Sequence, residues 1–522
     1  MSTSYTSEKL RFKTAERFKQ GFSSTDNPFV SYIVIGNHIP FEDENIPNEI
    51  YDTVSEEKNV WDNMIGGKRL NGNNVELVIP RVSYTANQYY RQYDDMISIS
   101  DLVSEEPTQN LKPMYIINTE GNVYKCLSNN NGTLSTIEPL GKNLTSNGNI
   151  ITTDNYTWKY LYNILDTNKF LANNWIPCPT ITNKESYSSY DETRVEGELL
   201  TIRVVDTGEG YIDSSVVVSA YNIGCTTLTI IDITDIANVV KPNMGVSGTG
   251  IVGDVYIKDV NTVTRKINLS YGTISSGGGI DSPVDIKTRV VIKGDGIGAF
   301  ARANVVNGNI DMIDVTNIGV GYNYANVVIY GTATSNTAVA RAILPPKYGH
   351  GYNPAKELNA INVMVETKVG DVDSTENGVI STDTTFRQYA LLMNPYKYND
   401  NAQVAASSAN SVFSQVTKVS LIPGPLFDEN EFVYQGNIYN PTFSGRVNTQ
   451  TINDINLTHV KGKISIGLVL KGVTTNLNGR TVFDITYPEF KPYTGDVLYA
   501  ENFKAVHREV GQAENIKFII QF

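Results

Sequence analysis

Residues 201–220, TIRVVDTGEGYIDSSVVVSA, align without a gap on residues 312–331, MIDVTNIGVGYNYANVVIYG. Ile202 falls on Ile313, Gly208-x-Gly210-Tyr211 falls on Gly319-x-Gly321-Tyr322, and Val216–Val218 fall on Val327–Ile329. A partial copy lies between them, since VVIKG at 290–294 followed by AFARA resembles VVIYG at 327–331 followed by AVARA. Each unit reads as a strand, a GxGY turn and a second strand. The glycines supply positive φ and close approach, and the tyrosine packs over the turn. Alternating alanine in ARA suits a tightly packed strand pair. Repetition of this kind restricts residues 195–345 to a stacked or duplicated β module.

The remainder points the same way. Runs such as SYIVIG, VELVIP, MYIINT, WKYLYNI and VSLIPG alternate with clusters of Gly, Asn, Asp and Pro. That pattern predicts a mainly β chain with a minority of short helices, built as nested sandwich or barrel domains. Residues 412–486 read as about five antiparallel strands, enough for a small barrel or sandwich, and AQVAASSANS (402–411) before them reads as a linker or exposed loop. Residues 7–20 predict an amphipathic helix with Leu10, Ala15, Phe18 and Phe22 near one face. At the other end Ile516, Phe518, Ile520 and Phe522 share a strand face. The expected domains are 1–195, 195–345, 346–400, 400–490 and 491–522, with 195–345 and 400–490 inserted into a common core.

Composition excludes several functions. The 522 residues are too many for one core. A net charge of −13 without any Lys/Arg run argues against a nucleic-acid partner. No stretch reaches membrane-spanning length and none reads as a signal peptide, so the sequons at Asn131, Asn143, Asn155 and Asn456 carry no weight. Cys126, Cys178 and Cys225 are too dispersed for a zinc site or a disulfide framework, and they suit a reducing compartment. The 31 tyrosines against 3 tryptophans suit broad protein contact surfaces.

Catalytic motifs are missing. His38, His350, His459 and His507 show no metal-ligand spacing. There is no GxSxG elbow and no phosphate loop, and GDGIGAF (294–300) lacks the dinucleotide spacing. Acid groups at Glu42–Glu44 and Glu105–Glu106 read as solvated loops, and DVDSTENG (371–378) lacks the ligand series of a calcium loop. Trp61, Trp158 and Trp175 read as core residues. The sequence therefore predicts no catalytic, cofactor or metal residue and no enzyme activity, and it leaves interface residues unknown.

Six segments in order carry a resemblance. They are RFKTAERFKQGF with FVSYIVIGNHIPFEDEN (11–45), VWDNMIGGKRLNGNNVELVIPRVSY (60–84), VYKCL (123–127), YTWKYLYNI (156–164), FRQYALLMNP (386–395) and the C-terminal GDVLYAENFKAVHREVGQAENIKFIIQF (495–522). Together they resemble the gene-product-eight family, baseplate wedge subunits of T-even contractile-tail bacteriophages. Compact members have no counterpart to 195–345 or 400–490, and Phe503 and Lys504 replace an Arg-x-Pro neighbourhood. The resemblance implies a homodimeric structural protein of the virion, without cofactors, assembled in the bacterial cytoplasm. It would contact other wedge proteins and take part in baseplate rearrangement on sheath contraction. A rival reading is a carbohydrate-binding or carbohydrate-cleaving tail protein, with Tyr211, Tyr322 and Asp213 of the repeats as its natural groove residues.

Overall fold

The computed structural model describes residues 7–23, 30–143, 149–165, 167–180, 194–370, 380, 383–398, 412–475, 477–509 and 511–522. The segments 371–378 and 402–411 singled out above lie outside the described residues. The chain is mainly β, with four short α-helices among the described residues and two sheets that close as six-stranded barrels. The expected fold class holds.

Two compact units make up the chain: Met1–Ile79 with Ala360–Phe522, and Pro80–Asn359. The first boundary cuts the 1–195 segment that the sequence suggests is a single core. Pro80 has no N–H to continue a ladder, so strand Val75–Pro80 ends there, and the chain beyond it builds a sheet of its own.

In the first unit, five antiparallel strands run in the order Val412–Ser414, Met64–Arg69, Ser31–Gly36, Thr384–Met393, Asp496–Arg508. Strand Asn362–Gly370 pairs with Val75–Pro80 on one side and with the C-terminal Ala513–Gln521 on the other. That last strand buries Glu514, Ile516 and Phe518. Helix Glu8–Gly21 begins at the Ser7 cap and buries Phe12 and Ala15. Leu10 is 57% exposed, which corrects the predicted face. It lies two residues before Phe12, about 200° round a 3.6-residue helix, and the larger ring takes the core side. Phe18 packs against Phe22 and Phe522, each at 5.1 Å.

One closed barrel also belongs to this unit, in the order Thr417–Leu421, Asp454–Gly462, Asn440–Gln450, Phe432–Asn437, Val469–Gly472, Arg480–Thr486. Alternate residues Val419, Leu421, Val433, Phe443, Val447, Leu457 and Leu470 fill it and are fully buried. This period of two is the signature of strands with one face on a core.

The second unit opens with a four-stranded sheet, Tyr115–Ile117, Asn122–Ser128, Thr157–Asn163, Asn149–Ile151. Tyr90, Tyr124, Tyr156, Trp158 and Tyr160 form its core. The GxGY barrel follows, in the order Ile202–Asp206, Asn309–Val320, Ile297–Val306, Arg289–Gly294, Ala325–Tyr330, Val339–Ala342. Its repeat is a duplication, and the pairing reveals the symmetry. The aligned residues Ile202 and Ile313 are direct cross-strand partners, and so are the aligned Val291 and Val328 on the opposite side of the barrel. A pseudo-twofold axis through both pairs exchanges AFARA with AVARA and one GxGY turn with the other. One half is continuous, Arg289–Tyr322. The other is circularly permuted, with Ala325–Ala342 as its first two strands and Ile202–Tyr211 as its third.

Both turns are built alike. Gly208 and Gly319 have φ 61° and 62°, and Gly210 and Gly321 both have φ 81°. The Tyr211 hydroxyl accepts the Ala338 amide at 2.8 Å, and the Tyr322 hydroxyl accepts the matching Ala299 amide at 3.3 Å. After Tyr211, however, the chain leaves the barrel. Strand Ser214–Val216 pairs with Val284–Lys287 in a small domain of two three-stranded sheets with its own core, including Val216, Leu228, Ile230, Ile257, Ile267 and Ile286. Val216 is thus not the structural equivalent of Val327, although the two align.

Candidate functional site

The densest unusual chemistry of the second unit lies where the chain leaves the four-stranded sheet for the GxGY barrel and returns. Lys125 and Lys159 face each other in register, and both are 0% exposed. Like charges directly opposite repel, so the pair requires counter-charge. Glu357 supplies part of it, with Oε2 3.0 Å from Lys125 Nζ and Oε1 accepting the Gly351 amide at 2.8 Å. Glu198 supplies the rest, with Oε1 3.8 Å from Lys159 Nζ. Lys125 also donates to His350 Nδ1 at 3.0 Å and stands 3.8 Å from the Tyr93 ring centroid. An ammonium group only donates, so His350 is the neutral Nε2–H tautomer.

The electrostatics follow from burial. Burial alone raises the Glu357 carboxyl, but the Lys125 ammonium and His350 outweigh it and hold it at about 2. Burial lowers His350 to about 3, and the Lys125 charge acts in the same direction. Glu198 goes the other way. Burial lifts it to about 7 against the pull of Lys159 and the nearby His350 amide, and neither oxygen makes a hydrogen bond of ordinary geometry. Burial also lowers Lys125 and Lys159 despite their partners. None of these five ionisable side chains is more than 4% exposed, so a substrate has no approach. The cluster fastens the two ends of the barrel segment to one sheet.

A second clamp repeats the logic with arginine. Arg203 and Arg341 are cross-strand partners in the barrel. Asp94 joins them, accepting from Arg203 Nη1 and from Arg341 Nη2 at 2.6 Å each, while Asp95 also pairs with Arg341. Burial tends to raise the Asp94 carboxyl, but the Met96 amide and the two guanidinium groups outweigh it and leave it below the ordinary carboxylate value.

The first unit holds a buried histidine among neutral groups, beside ion pairs such as Arg508 with Glu514. His38 Nδ1 lies 2.5 Å from Asn430 Oδ1 and its Nε2 2.6 Å from Thr458 Oγ1, which is 3.1 Å from His459 Nδ1. Burial lowers His38 to about 4 against the Asn430 hydrogen bond. Arg387 donates to the His38 carbonyl at 2.7 Å and to Glu44 at 2.8 Å.

The residues singled out from sequence take structural places. Tyr211 and Tyr322 are 2% and 6% exposed, so neither ring offers an open stacking face, although Tyr322 borders a cavity of about 410 Å³ with Glu196, Asn323 and Tyr348, and Asp213 accepts the Thr288 amide and hydroxyl at 2.7 and 2.9 Å. Glu105 pairs with Lys112 and Glu106 with Arg91. His507 lies 3.1 Å from the Thr385 hydroxyl. Trp61 and Trp158 are in the core, but Trp175 is only half-buried, a correction to the core assignment, because its strand is three residues long and covers one face. Cys126 and Cys178 are buried thiols and Cys225 is partly exposed. Among the described residues no group of His, Cys, Asp and Glu is arranged to hold a metal ion, and no helix is long and apolar enough to cross a membrane.

The seven clamp residues, Asp94, Lys125, Lys159, Glu198, Arg203, Arg341 and Glu357, belong to no sequence motif. The available signal was a lysine inside two otherwise apolar runs, VYKCL and WKYLY. The chain matches no protein-family profile and no curated protein.

Proposed function

We propose that this chain is a structural subunit of the baseplate wedge in the contractile tail of a T-even-type bacteriophage. It works there as a homodimer that contacts other wedge proteins and shifts with them when the sheath contracts. One observation supports the reading above others: the segments that carry the resemblance are hydrogen-bonded to one another. Ser31–Gly36 pairs with Met64–Arg69 and with the strand containing FRQYALLM, which pairs with Asp496–Arg508. VYKCL pairs with YTWKYLYN. Both barrels lie outside these segments, the arrangement expected of a shared core that carries inserts in its loops.

The physics of such a role is interface and rigidity rather than chemistry. Buried ion clusters that tie the ends of an insert to a sheet suit a part that must pass on a displacement without yielding internally. Immunogold labelling of virions with antibodies to this chain should mark the baseplate, and label on the capsid or on fibre tips alone would overturn the assignment. Sedimentation at micromolar concentration should give a dimer, and a strict monomer would count against it. The rival glycan surface on the GxGY repeats lacks the exposed rings it needs, because Tyr211 and Tyr322 are buried under their turns.

A further inference from the structure

A groove of about 920 Å³ opens in the first unit along strand Asn440–Gln450 of its barrel. Its floor holds an unmatched donor. Asn448 is 3% exposed, its Oδ1 accepts the Thr384 hydroxyl at 2.6 Å, and its Nδ2 has no partner among the described residues. A buried polar group left without a partner is unfavourable, so a ligand oxygen reaching the floor would remove a standing penalty. The walls are acidic, with Asp383, Glu429 and Asp454. Lys418, the one cation among the described lining residues, stands 3.3 Å from Asp454. At the rim Tyr487 is 39% exposed, and its ring lies nearly parallel to Tyr398, with centroids 5.0 Å apart and 15° between planes.

These features select a ligand class. Carboxylates without an uncommitted cation repel phosphates and acidic polymers. An apolar ligand would strand the amide and carboxylate groups without partners. The described acidic residues do not converge on a metal position. A neutral polyhydroxylated molecule meets every demand: its hydroxyls donate to carboxylates and accept from the amide, and the C–H face of its ring lies on a flat aromatic side chain. The volume is within the usual range for a ligand site.

We infer that this groove binds a neutral saccharide, with Tyr487 stacking against a sugar ring, Asn448 donating from the floor, and Asp383 and Glu429 accepting from hydroxyls. The inference is independent of the wedge assignment, and it puts glycan recognition in a different unit from the GxGY repeats.

The test uses the full chain and calorimetric titration with maltohexaose, cellohexaose, mannohexaose and chitohexaose, beside a heparin-derived acidic hexasaccharide. At least one neutral hexasaccharide should bind with a Kd below about 1 mM. Tyr487→Ala should weaken it about tenfold or more, and Glu429→Ala should weaken it severalfold. Both side chains are exposed, so both variants should fold. Asn448→Leu should also abolish binding, with circular dichroism as the check on folding. Tyr271→Ala, at an exposed tyrosine of the other unit, should change nothing. Failure of all four neutral sugars to bind, binding of the acidic sugar alone, or affinity unchanged in both Tyr487→Ala and Glu429→Ala would each overturn the inference.

Discussion

In one half of the GxGY barrel Arg302 stands opposite Asp314, while in the other half the matching positions hold Arg341 opposite Arg203. The first pairing is complementary by itself. The second is two like charges side by side, and it is stable only because Asp94 lies between the guanidinium groups. The two glycines, the tyrosine, and the alanine amide that its hydroxyl receives have been kept in both halves, while the amide after the tyrosine is received by Thr332 in one half and by Asp295 in the other. What has diverged is the outward face, where one half must attach to a neighbouring sheet. A duplicated element thus keeps the residues that its backbone geometry requires and changes those that its surroundings require.

The largest effect should come from Tyr211→Ala and Tyr322→Ala, each costing about 3–5 kcal/mol in urea denaturation, because each removes a buried ring and a hydroxyl that satisfies an amide. Costs differing by more than about 2 kcal/mol would end the claim that the turns are equivalent. Next come Gly208→Ala and Gly319→Ala. An added Cβ would lie 2.5 Å from the Ala338 nitrogen in one and 2.6 Å from the Ala299 nitrogen in the other, so backbone must move, and about 2–3 kcal/mol is expected from each.

The halves should then separate. Asp94→Ala should cost about 1–2 kcal/mol, reduced from a fully buried ion pair because Arg203 is 45% exposed, whereas exposed Asp314→Ala should stay within about 0.5 kcal/mol. The Asp94 clamp also has a pH signature. The Asp94 carboxyl is held below its ordinary value in the fold, so its contribution is present above the unfolded pKa of about 4 and is lost as pH falls through the folded one. Asp94→Asn should therefore flatten the acid limb of the stability profile. Smallest of all, Gly210→Ala and Gly321→Ala should each cost about 1 kcal/mol. Both have φ 81° but meet no atom closer than 3.9 Å, leaving only left-handed backbone strain.

Local chemistry made part of this legible from sequence. Gly208, Gly210 and Tyr211 announce their roles because a positive φ and a ring over a turn are needs of a few consecutive residues. The β-rich runs, and the strand ending near Phe522, are local in the same sense. Pairing partners are not. That Ile202 lies against Ile313 rather than stacking as the next rung of a solenoid depends on how the whole barrel closes. The departure after Tyr211 is silent as well, because VVV at 216–218 serves a small separate domain as well as it would serve a barrel strand. Lys125 and Lys159 are hidden for a further reason. A lysine in a strand ordinarily reads as solvent-facing, and only the distant Glu198 and Glu357 make burial tolerable. The groove beneath Tyr487 likewise draws on residues from Ile380 to Glu489 with no motif among them.

The permuted half also sets a timetable. Strand Ile202–Asp206 is the first of the barrel to leave the ribosome, yet both of its partners, Asn309–Val320 and Val339–Ala342, come from the far end of the segment. At about 5–20 residues per second, it waits on the order of ten seconds with both edges open while the small domain and then the other half are made. Nascent chains arrested before Ala342 should hence expose a strand able to pair with a neighbour, and the delay gives the small domain time to fold first and hold the early strand apart from others like it.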